Sequence, residues 1–172
     1  FLNIFITTKY HERFNVDRKF MDLEKVNKLD IVKGSIVSNN LQGLKWVSII
    51  RQTDLPDEIK LIRESIKHLK INKNGSMLIS YYQFINSEIN HLVYSPNRWY
   101  TDDGVSYPLK KNKYFNYYVS FFKENLIKNK INKIYTIYPL DKKSFDFVFK
   151  ADCITTKKIN QILSEHLLTN CF

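Results

Sequence analysis

The most constraining feature of this sequence is one well-marked helical segment that lies between two short apolar runs. It begins at 54–58 (DLPDE), where an Asp cap, an early Pro and first-turn acids are typical of a helix N-terminus. Apolar residues then recur at helical spacing, and the segment 72–75 (NKNG) ends it. The runs 44–50 and 77–82 on either side indicate buried strands. Strand, helix and strand in this order predict a βαβ unit.

A second unit of the same kind follows. The segment 114–130 has an apolar stripe that predicts an amphipathic helix, and 131–138 alternates as a strand that Pro139 closes. Further along, 156–165 predicts a short helix and 167–171 a last short strand, while 30–37 predicts another strand. The expected fold class is therefore α/β, with a small, mostly parallel sheet and helices on both faces in a Rossmann-like three-layer arrangement.

Glycine usage sets a limit on what such a fold would bind. The chain has only four glycines and lacks a Gly-rich phosphate loop, a G-x-S-x-G elbow and an H-E-x-x-H motif. Without a dinucleotide fingerprint, no cofactor is expected, and the sheet is interpreted as a scaffold.

Length and hydropathy predict one folded domain. The chain has 172 residues with 44% hydrophobic and 15% aromatic content, and no apolar run approaches the roughly 18 residues of a membrane span. It opens on Phe1 rather than Met, with an apolar cluster followed by a polar run. We interpret residues 1–13 as a membrane-exit or linker helix that projects from the body, and 14–172 as a single α/β domain.

The charge of the chain is strongly positive. Its formal net charge is +10, carried by 22 Lys and only 5 Arg that are spread along the sequence. Base readout and bidentate phosphate contacts favour Arg, so nucleic acid is an unlikely partner. Anionic lipid headgroups at a membrane surface suit dispersed lysines better.

The two cysteines, Cys153 and Cys171, lie in the last twenty residues. A metal site needs three or four ligands, and the four histidines have no metal-type spacing with them, so no metal is predicted. Because the cysteines flank the last predicted helix and strand, the chain can fold back and join them. A disulfide is the prediction, which would indicate an oxidising compartment; two buried free thiols are the alternative.

The segment 94–108 is the candidate binding loop, because it follows the carboxyl end of a predicted strand, where open α/β sheets place their sites. It could bind a sugar or phosphate through stacking and charge-assisted hydrogen bonds. Alternatively, Trp99 and Tyr107 plug the end of the sheet, at least half burying Trp99, and Arg98 pairs with an acid. The candidate side chains are Arg98, Trp99, Tyr100, Asp102 and Tyr107.

Several segments together resemble a known group of proteins: 18–24 (RKFMDLE), 44–47 (LKWV), 77–84 (MLISYYQF), 95–100 (SPNRWY), 107–109 (YPL) and the Cys-bracketed end. They resemble the soluble C-terminal domain that follows the membrane helices in some bacterial polytopic proteins. Those proteins are similar to GT-C superfamily glycosyltransferases of the dolichyl-phosphate-mannose–protein mannosyltransferase type. The resemblance covers nearly the whole chain.

This resemblance implies a function that lies partly outside the chain. In that superfamily the catalytic acids are on loops among the membrane helices, so no catalytic residue is assigned here. The implied protein is an inner-membrane glycosyltransferase with a lipid-linked sugar donor, and this domain is its periplasmic accessory part, in contact with the parent's membrane helices. Two alternatives stay open: a self-contained α/β transferase or hydrolase that uses the 94–108 loop, and a membrane-surface or protein interaction module.

Overall fold

A computed structural model describes residues 31–47, 54–72, 75–97, 107–149 and 151–172. Within these ranges the chain forms six strands, three α-helices and several single 3₁₀ turns. The predictions for residues 1–13 fall outside the described residues.

The central element is a four-stranded mixed sheet. Its strands are β3 (Ser76–Ile79), β4 (Lys133–Ile137), β5 (Ile154–Lys158) and β6 (Leu163–Leu168), in the spatial order β3-β4-β6-β5. Only β3 and β4 are parallel; β4–β6 and β6–β5 are antiparallel. The prediction of a mostly parallel, Rossmann-like three-layer fold was therefore wrong.

The first predicted βαβ unit fails because its leading strand belongs to another sheet. β1 (Ile31–Lys33) and β2 (Lys45–Val47) pair antiparallel as a separate hairpin, and β2 does not join β3. Their connection turns through two 3₁₀ segments, and Gly43 adopts a positive φ of 83° that few other residues tolerate. A helix between two apolar runs thus does not ensure that the runs pair with each other.

The two long helices lie close to their predicted positions. α1 spans Leu55–Ile71, with Asp54 in extended backbone before it and Pro56 in its first turn. A single helical turn, α2 (Ile85–Glu88), follows β3, and α3 spans Phe115–Lys128. The turn after α3 leads directly into β4, so α3 runs opposite in direction to the strand that follows it.

The C-terminal third contains a hairpin where a helix was predicted over 156–165. Asn160 forms the turn: its side-chain Oδ1 accepts hydrogen bonds from the backbone N–H groups of Ile162 (3.0 Å) and Leu163 (2.7 Å). The β-branched run 154–156 favours a strand on one side of this turn. The helical spacing of Ile159, Ile162 and Leu163 was therefore a poor guide, because a turn interrupts it.

The core consists of two apolar clusters, and alternate residues of the sheet point into one or the other. Leu78, Tyr135 and Ile137 pack in a cluster with α1. Met77 and Ile134 pack in a second cluster with Phe122 and Leu126 of α3, whose side chains are almost fully buried. β4 is thus buried on both of its faces.

Cys153 and Cys171 form a disulfide, as predicted. Their Cα atoms lie 5.2 Å apart, within the range that a disulfide spans. Cys153 immediately precedes β5 and Cys171 follows β6, so the bond closes the open end of this hairpin. Ile154 and Leu168 form the neighbouring cross-strand pair.

We expect the double substitution Cys153→Ser/Cys171→Ser to lower the free energy of unfolding by about 3 kcal/mol, because the bond restricts the unfolded chain over an 18-residue separation. Urea unfolding of both proteins, with and without reductant, measures the difference. Reductant should destabilise only the unsubstituted chain. Equal stability of the two proteins under oxidising conditions would contradict the expectation.

Candidate functional site

The first residue of the candidate loop, Tyr94, pairs with the edge strand of the sheet. Tyr94 forms a parallel bridge with Met77 of β3. The backbone N–H of Leu78 donates to the Tyr94 carbonyl (2.7 Å), and the Tyr94 N–H donates to the Ser76 carbonyl (3.0 Å). The first residues of the loop are therefore held by the outer edge of β3.

The next residues of the loop lie against α3. The Ser95 hydroxyl donates to the Asn97 carbonyl (2.7 Å), and the Asn97 side-chain amide donates to the Tyr118 hydroxyl (3.2 Å). Between this turn and α3 there is a small cavity of about 50 Å³, whose walls include Phe121 and Phe122. It is too small for a sugar ring, so by itself it is not a ligand site.

Tyr107, where the described part of the chain resumes, packs into a stack of aromatic rings. Its ring lies 5.6 Å from that of Tyr118 and 5.6 Å from that of Phe147, nearly parallel to both. The rings cover the amino-terminal end of α3 and join the cluster beneath it. Tyr107 thus packs against α3 and Phe147, and its role in binding stays a prediction.

The other candidates, Arg98, Trp99, Tyr100 and Asp102, fall in 98–106, outside the described residues. Their role in binding, and the burial of Trp99, stay predictions.

We expect Tyr107→Ala to lower the free energy of unfolding by about 2 kcal/mol, because it removes a ring that packs against two others. Tyr117→Ala is the matched control, since Tyr117 is the same residue type on α3 but 76% exposed. The control should change stability by less than about 0.5 kcal/mol. Thermal or urea unfolding measures both, and a small effect at Tyr107 would mean that its ring is available for a ligand.

A larger cleft lies elsewhere, between the β1–β2 hairpin and α1. Its volume is about 890 Å³. The floor is apolar, and three cations line it: Lys60, Arg63 and Lys67, with Asp54 and Glu64 as the acids among the lining residues. This cleft was not predicted from the sequence, because these charges are typical of the solvated face of a helix and the pairing of the hairpin was not predicted.

A buried acid lies on the opposite side of α1. Glu58 is only 4% exposed, and the Tyr82 hydroxyl donates to its Oε1 (2.9 Å). Among the described residues its Oε2 has no hydrogen-bond partner, and neither has the buried Nε1 of Trp46, whose ring stacks on Tyr82 at 5.8 Å. Burial raises the pKa of the Tyr82 hydroxyl, and the Glu58 charge and hydrogen bond raise it further.

In the sequence, Glu58 is one of the acids that mark the start of the helix. Its spacing of four residues from Ile62 is the signal that could have placed it on the buried face. Buried side chains with polar atoms left over are unusual, so this cluster stands out among the described residues.

A buried histidine lies within the sheet itself. His166 on β6 is 1% exposed; its Nε2 is 2.9 Å from the Thr136 hydroxyl and its Nδ1 is 2.9 Å from the Thr156 hydroxyl. The Phe145 ring lies 5.1 Å away. Both ring nitrogens are thus satisfied by hydroxyl groups, as suits a neutral imidazole. Neither nitrogen faces a cleft, so the arrangement is structural.

The surroundings of His166 oppose its protonation. Burial lowers its pKa to about 4, because a charged imidazole would lose its hydration. The negative charges of Asp141 and Glu165 act in the opposite sense, while Lys142 lowers the pKa further.

We expect this group to make stability depend on pH. The unfolded chain takes up the proton near pH 6.5 and the folded chain only near pH 4. The stability due to neutral His166 is therefore complete above about pH 6.5 and is lost as the pH falls toward about 4, by at most about 3 kcal/mol. Urea unfolding of the chain and of His166→Gln over this range should show a flatter pH dependence in the variant. Parallel pH profiles would contradict the assignment.

The described ranges contain neither a metal-binding cluster nor a membrane-spanning helix. They hold no group of three or more His, Cys, Asp and Glu side chains placed to bind a metal ion. Nor does any helix of the described residues combine the length and hydropathy needed to cross a bilayer.

Comparison with known proteins gives no relative: no family model, no curated protein and no solved structure matches this chain.

Proposed function

We propose that this chain is an accessory domain on the extracytoplasmic side of a membrane-embedded glycosyltransferase that uses a lipid-linked sugar donor. In this proposal catalysis is carried by the membrane part of the parent protein. The domain positions the donor or the acceptor, or stabilises the membrane part. The sequence resemblance suggests the parent, and one observation on the structure supports the compartment.

That observation is the disulfide between Cys153 and Cys171. Disulfides persist in oxidising compartments such as the bacterial periplasm and are rare in the reducing cytosol. This bond joins the two cysteines of the chain across one hairpin, which is the arrangement of a structural bond. A periplasmic domain at the membrane agrees with the proposed parent.

The self-contained enzyme that uses the 94–108 loop has less support. Such an enzyme would need the aromatic residues of the loop at its substrate, whereas Tyr107 packs against both Tyr118 and Phe147. The small cavity beside the loop does not provide room for a substrate.

The compartment is tested on the full-length parent protein in intact bacterial cells with a membrane-impermeant maleimide. We expect no labelling of Cys153 and Cys171 before reduction and labelling after it. The matched variant Cys153→Ser leaves one unpaired thiol at Cys171, which should react without reductant. If this variant is protected in intact cells and reacts only after lysis, the domain is cytoplasmic and the proposal fails.

Assays of sugar transfer from polyprenyl-phosphate donors test whether catalysis lies outside this domain. Membranes that contain the parent should transfer sugar, and the isolated 172-residue chain should neither transfer nor hydrolyse the donor. Turnover by the isolated chain would instead support the self-contained enzyme. A parent that has no transferase activity with any such donor would overturn the proposed parent class.

A further inference from the structure

Helix α3 has a second apolar face, which the other described residues leave largely exposed. Phe122 and Leu126 are buried on one side of the helix. On another side Tyr114, Tyr117 and Phe121 are 57%, 76% and 53% exposed. At about 100° per residue these three rings fall within an arc of roughly 60°, so they form one continuous stripe, which we call the α3 aromatic face.

Two more exposed apolar residues lie near the ends of this helix. Leu109, just before the helix, is 49% exposed, and Ile127, in its last turn, is 58% exposed. Single exposed apolar residues are normal on a protein surface, but a contiguous group of large ones usually marks an interaction site.

Lysines flank the face at both ends. Three exposed lysines precede α3 and two lie at its end, and within the described residues none of the five forms an ion pair. Glu124 is the one acidic residue in the helix sequence. The lysines are Lys110, Lys111, Lys113, Lys128 and Lys130.

We propose that the α3 aromatic face docks on the surface of a bilayer that contains anionic lipids. The rings would lie at the level of the headgroups, where aromatic side chains are enriched, and the lysines would contact the phosphates. The helix would lie along the membrane, with Phe122 and Leu126 directed into the domain.

Charge favours a bilayer over a second copy of the chain as the partner of the α3 aromatic face. A two-fold contact through the same face would bring the five lysines of one chain against those of the other, which is repulsive. A bilayer surface with anionic headgroups offers the complementary charge together with an apolar layer beneath it. The proposal rests on the proposed function only in placing the domain beside a membrane.

The first experiment is co-sedimentation with vesicles of equal parts phosphatidylglycerol and phosphatidylcholine. The double variant Tyr117→Ser/Phe121→Ser should bind about tenfold or more weakly than the unsubstituted chain. The matched control is Leu44→Ser/Leu92→Ser, which removes two residues that are 60% and 68% exposed elsewhere and keeps the same net charge. The control should bind within about twofold of the unsubstituted chain. Unchanged binding of both variants would show binding by net charge alone, and equal losses in both would show that the face has no special role; either result would overturn the proposal.

The second experiment measures the depth of the face in the bilayer. Tyr117→Trp places a fluorophore on the face, and Leu92→Trp places one at the control position. Brominated phospholipids should quench the added fluorescence at position 117 and leave that at position 92 unchanged. Absence of quenching at 117 would overturn the proposal, whatever the binding result.

Two other outcomes would assign the face differently. If the chain forms a concentration-dependent dimer that Tyr117→Ser/Phe121→Ser abolishes, the face is an interface between two copies. If single-stranded nucleic acid binds the face as tightly as the vesicles do and displaces the chain from them, the face is a surface for stacking bases. If the vesicle experiments fail but the Cys171 thiol of Cys153→Ser is labelled in intact cells, the docking proposal fails and the proposed function stands. If the chain binds vesicles through this face but that thiol is labelled only after lysis, the proposed function fails and the docking proposal stands.

Discussion

The rest of the structure depends on the double-sided burial of strand β4. It pairs in parallel with β3 and antiparallel with β6, so its backbone hydrogen bonds are taken up on both edges. Ile134 faces the cluster beneath α3, whereas Tyr135 and Ile137 face the cluster beneath α1, and all three have no exposed surface. The helices on the two sides of the sheet are thus held by the same five residues of chain.

This position also explains the polar residues within the sheet. The Tyr135 hydroxyl reaches across to β6 and donates to Glu165 Oε2 (2.7 Å), and the Thr136 hydroxyl lies 2.9 Å from His166. A strand with no water on either side can carry hydroxyl groups only where its neighbour provides partners. The register between β4 and β6 is therefore fixed by polar contacts as well as by apolar packing.

Local patterns in the sequence predicted the positions of three of the main elements. The stretches that became α1, α3 and β4 have regular spacing and clear end signals, and their positions were close to those observed. Strand pairing was not predictable in this way, because it is decided between distant residues. β2 has the composition of a buried strand but pairs with β1, and nothing in its three residues indicates that partner.

In the candidate site and its surroundings, too, some features could be predicted from the sequence and others could not. The pairing of Cys153 with Cys171 followed from chain order, whereas the roles of aromatic residues did not. Tyr117 and Tyr118 are adjacent and identical in type, yet one is 76% exposed and the other stacks on Tyr107. Only the direction of α3 relative to the sheet decides between them, and the sequence of the helix is rich in rings all round.

The strand order has a consequence for how the domain is made. β6 is the last strand along the chain, yet it lies between β4 and β5 in the sheet. Until residues 163–168 have left the ribosome, β4 lacks its partner on one edge and β5 has no strand to pair with. The sheet therefore cannot assemble progressively during synthesis. The apolar strand β4 of the nascent chain must avoid pairing with other strands until β6 has been made.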